Sequence, residues 1–322
     1  MKKILSFSAR IAISAIFLYI LFRKIDFNAS LKIIARLDVV YFFIAMAIFF
    51  ILYIFVLFRW KMLLDAQKVS LPLQRILVSY AGGLFFSLFL PSNIGGDLAR
   101  TVDLGLHTKR RSLIAASVLL DRLSGFIGLV IVALSALFFG FKLVNEPSVL
   151  MILLLFAGIL IAVLLVIFNN AIYRWLNRLL HAKKGIFDVI RKLHAEVYFF
   201  RSKPAVVCLN IFYSIIIQAG ASVSSYFILR SLKVNINMVY PLIFNPVITV
   251  ITSLPISLGG LGLRDAATVF FYAKAGVPKD IALAQSILNF TIILVFGLIG
   301  GIIYVSTLRY RRLQSHQTNS PV

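Results

Sequence analysis

Apolar residues run in long unbroken stretches along this chain, and the polar positions gather between them. Six stretches, residues 4–22, 40–58, 112–141, 148–168, 204–229 and 281–308, approach or exceed the roughly 20 residues a helix needs to cross about 30 Å of hydrocarbon. None shows the short alternating segments of a membrane barrel. The pattern predicts an all-α polytopic membrane protein, a single transmembrane domain over residues 1–322 with about six full transmembrane helices.

Two further apolar segments are too short or too broken for that role. Residues 76–90 amount to about 15 positions, or roughly 22 Å of helix, and lie between Arg75 and the basic run Lys109-Arg110-Arg111. Residues 238–254 are interrupted by Pro241 and Pro246. A glycine-rich turn and only about 12 helical positions follow before Pro278, an arm of about 18 Å. Each segment is expected to dip into the bilayer and return as a re-entrant helical hairpin.

Composition agrees with a membrane setting, since 61% of the 322 residues are hydrophobic, well above the roughly 45–50% of a soluble domain. The run over residues 4–22 follows Met1-Lys2-Lys3 but ends in Arg23-Lys24 without a small-residue cleavage site, so it reads as a retained span. Cys208 is the only cysteine. Disulfides and thiolate metal sites are thereby excluded, and its place in an apolar run predicts a small buried core residue.

The formal charge of +22, from 33 Lys and Arg against 11 Asp and Glu, would suggest nucleic acid in a soluble domain. Here most basic residues flank spans, where the positive-inside bias and anionic lipid headgroups account for them, so no nucleic-acid partner is expected. Residues 173–203 form the richest basic segment, and their apolar positions, among them Trp175, Leu179, Phe187 and Val197, recur at helical spacing. They predict a cytoplasmic amphipathic elbow. The tail, residues 309–322, begins Arg309-Tyr310-Arg311-Arg312 and is placed on the same side. This threading puts both termini in the cytoplasm of a multi-pass plasma-membrane protein. Arg23, Lys24, Lys32 and Arg36 resist it, because they fall in a loop that the scheme places outside.

The two hairpin tips resemble each other. "PSNIGGDLAR" and "PISLGGLGLR" both obey P-x-x-[IL]-G-G-x-x-x-R, matching Pro91, Gly95, Gly96 and Arg100 with Pro255, Gly259, Gly260 and Arg264. Chance, or glycine pairs serving only close helix packing, is the competing explanation. Three full spans separate the tips, which would mount one hairpin upside down relative to the other. Inverted repeats with broken helices are a feature of secondary transporters.

The motif suits an anion. Proline ends the entering helix, the glycines let backbone turn tightly and approach a ligand, and the helix that follows offers free N–H groups and the positive end of its dipole. Arg100 and Arg264 are expected in the first turn of those helices, where a guanidinium fork can grip phosphate or carboxylate. Charges at this depth cost about 2.5–3.5 kcal/mol each on insertion scales, so they are functional candidates by default. Asp97 and Arg100 can share a helix face, whereas the adjacent Arg264 and Asp265 are expected not to face each other. On the third long span, Asp121 and Arg122 lie about ten residues in, and Asp121 is expected to approach Arg100 or Arg264. Asn93, Ser257, Gln218, Asn245 and Asn289 could line a polar path or serve interhelical hydrogen bonds equally well. His107, His181, His194 and His316 form no metal or catalytic set, and no cofactor is implied.

At "LPSNIGGDLAR", Asp121-Arg122 and "LPISLGGLGLRD" the chain resembles the lysylphosphatidylglycerol synthase transmembrane-region family, over nearly its whole length. Members of that family include the flippase portion of bacterial multiple peptide resistance factors and archaeal membrane proteins linked to lipid-carried sugars. The resemblance implies a lipid-translocation fold. It extends a substrate-binding role to Asp97, Arg100, Asp121, Arg122, Arg264 and Asp265, the last standing where the family commonly has glutamate. Asn93, Gly95, Gly96, Ser257, Gly259 and Gly260 complete the expected substrate site. The soluble aminoacyl-transfer domain of two-part members is not found after the last basic cluster, so lysyl transfer by this chain alone is not expected.

These readings converge on a flippase-like transporter of an anionic lipid, either a phospholipid or a polyprenyl-phosphate carrier. A membrane-embedded transferase, or a subunit of one, acting on a lipid-linked substrate is the alternative. A separate lipid-modifying enzyme and self-association stay open as partners. No ATP-binding loop is present in the sequence.

Overall fold

The computed structural model describes residues 27–89, 94–140, 147–169, 194–253, 257 and 260–318, with side chains through residue 307 except that of Ile94. The expected first span (4–22), the hairpin-tip residues Pro91, Asn93, Pro255, Leu258 and Gly259, and most of the basic elbow lie outside the described residues.

The described chain is helical and contains no strand. Its α-helices are α1 (Phe27–Ile34), α2 (Val39–Ala66), α3 (Leu73–Phe89), α4 (Ile94–Thr108), α5 (Arg111–Phe139), α6 (Pro147–Phe168), α7 (Pro204–Ser231), α8 (Val239–Ser253), α9 (Leu263–Lys274) and α10 (Lys279–Thr318). A 3₁₀ turn over Phe199–Ser202 leads into α7. Among the described residues five helices, α2, α5, α6, α7 and α10, are long and apolar enough to cross a bilayer. They coincide with five of the six expected spans. The protein is an all-α polytopic membrane protein.

Its surface explains why the apolar runs show no helical periodicity. Phe43, Phe50, Phe138, Phe139, Met151 and Ile302 point outward and are exposed, as side chains bathed in lipid rather than water would be. α6 is apolar all round, with only Val149, Leu153 and Leu160 buried. Cys208 on α7 is likewise exposed, which corrects its assignment to the core. An apolar run reads the same whether its face meets protein or acyl chains.

With lipid as solvent, helix association depends on close fit and interhelical hydrogen bonds rather than on expulsion of water. Glycines supply the fit. A Cβ on Gly300 of α10 would sit 2.6 Å from the Ala81 carbonyl oxygen of α3, and one on Gly128 of α5 would sit 2.7 Å from the Ser214 backbone of α7. Between α2 and α7, Ser224 donates to the Ala45 carbonyl at 3.0 Å, and Asn210 to the Arg59 carbonyl at 3.3 Å.

The two short segments pack as antiparallel pairs. In the first, Arg75 meets Asp103, the Ser79 hydroxyl donates to the Arg100 carbonyl, and Gly83 meets Gly96, so positions on α3 rise as those on α4 fall. In the second, Asn245 of α8 meets Tyr272 of α9, and Thr252 of α8 meets Gly260 in the turn before α9. At 17, 15, 15 and 12 residues, these helices are about 18–26 Å long, short of a full crossing.

Three local expectations change. Pro241 and Pro246 do not interrupt the second segment, because α8 runs through both. Pro241 sits in the first turn, where no N–H is needed, and the helix carries Pro246 while that residue is buried among neighbours. The basic residue Lys32 is not in a loop, because α1 covers residues 27–34, while Arg36 stands in the turn that follows; the Ser30 hydroxyl of α1 donates to the Asp280 carbonyl at 3.0 Å. At the described end of the elbow, Val197 and Phe200 are buried against Leu63, Ala116 and Leu120, so this part is docked on α2 and α5.

Candidate functional site

Polar residues inside the bundle collect in two places. The first is a chain of five charged side chains from three helices. Arg59 of α2 donates through Nε to Asp121 Oδ1 of α5 at 2.8 Å. Asp121 Oδ2 accepts from Arg100 of α4 at 3.1 Å. Arg100 also holds Asp97 Oδ1, with Nη2 at 2.9 Å and Nε at 3.1 Å. The other Asp97 oxygen pairs with Arg122 of α5. Along the chain Arg59, Asp121, Arg100, Asp97 and Arg122, the sign of charge alternates.

Three members are nearly inaccessible: Asp121 is 2% exposed, Arg100 4% and Arg59 7%. Neutral groups hold the chain in place. Arg59 Nη1 donates to the Ser214 hydroxyl at 2.8 Å. The Arg100 guanidinium lies 4.7 Å from the centre of the Trp60 ring and 5.7 Å from that of Tyr80. Trp60 in turn donates its Nε1–H to Ser117 at 3.1 Å. Arg100 Nη1 is buried without a hydrogen-bond partner among the described residues.

All five charged residues line a cavity of about 460 Å³, whose other walls include Gly96, Gln218, Tyr53 and the apolar side chains of Leu84 and Phe126. A second cavity, of about 300 Å³, is lined by Gly260, Arg264, Asn245, Gln285 and Asn289. Phe49, Ser87, Thr249 and Ile293 belong to the walls of both, so the two chambers adjoin.

In the second group, Asp265 organises the start of α9. Its Oδ2 accepts the Gly262 N–H at 3.0 Å, as an N3 carboxylate does for a helix N-terminus. Its Oδ1 accepts from the Ser286 hydroxyl at 2.6 Å and from Arg264 Nη2 at 2.9 Å. The expectation that adjacent Arg264 and Asp265 cannot meet is therefore corrected, since the long arginine arm curls back over its neighbour. The same guanidinium lies 4.7 Å from the centre of the Phe290 ring. Beside it, Gln285 donates to Ser225 at 2.6 Å, Ser225 meets the Tyr272 hydroxyl at 3.3 Å, and Tyr272 donates to Asn245 at 3.1 Å.

Asp97, Arg100, Asp121 and Arg122 thus share one chamber, and Gly260 and Arg264 the next, with Asp265 fixing Arg264. Asp121 meets Arg100 and not Arg264. Ser257 is buried with its hydroxyl unpartnered among the described residues, and it lines neither chamber. Asn93 and Gly259 lie outside the described residues.

The glycine pairs differ from expectation. Helix α4 starts at Ile94, so Gly95 and Gly96 are helical and Arg100 falls in the second turn rather than the first. Gly96 serves close approach, packing against Gly83. Gly260 and Gly262 do turn the backbone, with φ of 78° and 76°, and Arg264 is in the first turn of α9 as expected.

Arg59 was not among the expected site residues. It follows an apolar run and precedes Lys61, the pattern of a basic residue marking the end of a span. α2 instead continues to Ala66, which carries Arg59 about two turns inside. The neighbouring Trp60 and the acid at Asp65 were the available signs that the helix goes on.

A helix bundle with buried arginines and carboxylates around adjoining internal chambers defines a polytopic membrane protein with a polar interior site. The chain belongs to the family described as "Lysylphosphatidylglycerol synthase TM region", whose model matches residues 7–301. No individual curated protein matches it. Membership makes it a lipid-related membrane protein.

Proposed function

We propose that this protein moves an anionic lipid between the leaflets of the plasma membrane. The headgroup phosphate is held by interior arginines while the acyl or prenyl tails stay in the bilayer. The observation that carries this reading is the pair of adjoining chambers, the first with the buried Arg100 and the second with the half-buried Arg264 on its wall, in a bundle whose outside is apolar. The short antiparallel pairs α3–α4 and α8–α9 act as re-entrant hairpins mounted in opposite directions and deliver Arg100 and Arg264 from opposite sides. The termini and the basic elbow face the cytoplasm.

In the empty protein Asp97, Asp121 and Asp265 neutralise the arginines, which keeps isolated charge out of the low-dielectric interior. An arriving phosphate exchanges with a carboxylate on the guanidinium fork, and the carboxylate recovers its partner when the lipid leaves. Charge-assisted contacts are thus traded rather than created, which lowers the barrier to release.

The test is lipid exchange in liposomes carrying purified protein and a phosphatidylglycerol labelled in one leaflet. Exchange lost in both Arg100→Ala and Arg264→Ala is expected, and exchange intact in both variants would remove this site from the pathway. Chemical conversion of the lipid in the presence of a donor would instead make the protein a transferase.

A further inference from the structure

The two chambers differ in chemistry. Five charged side chains wall the first, whereas amides and hydroxyls surround Arg264 in the second. A relay behind that second wall fixes which way its amides face. The Tyr272 phenol spends its single proton on Asn245 Oδ1, so it accepts from Ser225; with its own proton spent in turn, Ser225 accepts from the Gln285 amide nitrogen. Gln285 Oε1 is thereby turned away from the relay. It is buried without a hydrogen-bond partner among the described residues, in a residue 2% exposed. One turn further along α10, Asn289 Oδ1 is buried and unpartnered in the same way. Thr249 and Thr252 donate to the carbonyls of Asn245 and Ile248 in their own helix, at 2.8 and 2.9 Å, and keep only lone pairs for a ligand.

Gln285, Asn289, Thr249 and Thr252 all line the second chamber, so its wall is rich in acceptors that lack donors. Such oxygens repel an anion, and Arg264 beside them weighs against a cation. Their complement is a neutral group that brings O–H donors and accepts from the Arg264 guanidinium: an alcohol. We infer that the second chamber is a polyol subsite, which takes the hydroxyl-bearing alcohol esterified to the lipid's phosphate while the phosphate rests on Arg100 in the adjoining chamber. Burying an acceptor without a donor costs free energy that a ligand hydroxyl recovers, so lipids with headgroup hydroxyls are selected over lipids of equal charge without them. The walls shared at Ser87 and Thr249 let one headgroup occupy both chambers. This inference rests on the transport reading for its lipid and deepens it by naming the headgroup class.

Binding can be read apart from transport. Purified full-length protein in neutral detergent is titrated with dihexanoyl forms of phosphatidylglycerol, phosphatidylinositol and phosphatidylethanol, following the thermal unfolding midpoint. All three are phosphodiester monoanions, and only the last has no headgroup hydroxyl. The first two should bind on the order of tenfold tighter than the third. Equal binding of the three overturns the inference, since water then serves the buried acceptors. Phosphatidylethanolamine brings an ammonium donor instead; if it binds tighter than phosphatidylglycerol, the acceptors form a cation site and the inference falls. Free myo-inositol should leave the midpoint unmoved at concentrations where the lipid saturates, and an equal shift would overturn the assignment to a lipid.

The preference should follow the acceptors. Asn289→Leu removes an oxygen that no described group uses, and it should cut the preference for phosphatidylglycerol over phosphatidylethanol about fivefold. Gln285→Leu should do the same; if loss of its bond to Ser225 unfolds the chain, Asn289→Leu decides alone. An unchanged preference in Asn289→Leu overturns the inference. Hydroxyl-selective binding without leaflet exchange would leave the inference standing and sink the transport reading, and exchange of phosphatidylglycerol without any hydroxyl preference would do the reverse.

Discussion

Gly96 on α4 and Gly83 on α3 lie so close that a Cβ on Gly96 would overlap the Gly83 carbonyl oxygen and the Ser87 hydroxyl. The contact sets how tightly the first hairpin closes beneath Asp97 and Arg100. Its counterpart in the sequence repeat, Gly260, does something else: it has a φ of 78° and 3.6 Å of room to the nearest side-chain atom, on Thr252.

The two positions should therefore fail differently. Gly96→Ala forces α3 and α4 apart and should cost about 1–3 kcal/mol, as overpacking does, with loss of lipid binding in the first chamber. Gly260→Ala carries only left-handed backbone strain of about 1–2 kcal/mol and should leave that chamber intact. Thermal unfolding in detergent and lipid titration of both variants check this. Loss of first-chamber binding in Gly260→Ala but not Gly96→Ala would contradict the packing argument.

Arg59 and Asp121 offer a second test. Breaking a buried ion pair from one side costs about 3–5 kcal/mol, because a charge is left behind. Arg59→Met should fall at the low end of that range, since Asp121 keeps Arg100. Asp121→Asn strands Arg59 and removes one of the two carboxylate partners of Arg100, and should cost more. The double variant should lose less than the sum of the single losses, and strict additivity of the unfolding midpoints would show that the two do not interact.

How legible this was depends on what each residue's role requires. Long apolar runs report burial in lipid or protein, so five of the spans could be read directly, while Cys208 could not be placed on one face or the other. The paired motif marked Arg100 and Arg264, but a pattern of letters does not distinguish a glycine that turns the chain from one that admits a neighbour. Gly96 and Gly260 divide along that line. Arg59 escaped because helix α2 outlasts its apolar run, and Arg75 with Asp103 because their separation of 28 residues becomes a contact only once α3 and α4 pack.

That last pair separates architecture from binding. Arg75 and Asp103 meet through two contacts of 2.8 Å, both side chains largely buried, and neither lines the charged chamber. Arg75→Met should lower stability by about 3–5 kcal/mol. Among molecules that remain folded, leaflet exchange of labelled phosphatidylglycerol should be unchanged. Exchange lost as in Arg100→Ala would place the pair in the binding machinery instead.

Cys208 gives access to orientation. It is the only cysteine in the chain, it is exposed, and it lies four residues after Pro204 at the start of α7. If the basic elbow preceding α7 faces the cytoplasm, this thiol sits just inside the cytoplasmic headgroups. A membrane-permeant maleimide applied to intact cells should then label the protein, and Cys208→Ser should abolish the label. A sulfonated, impermeant maleimide should label only in inverted vesicles, because the thiolate that reacts needs water and water is near only at that surface. Labelling of intact cells by the impermeant reagent would turn α7 over, and with it the direction in which each short helix pair is proposed to enter the membrane.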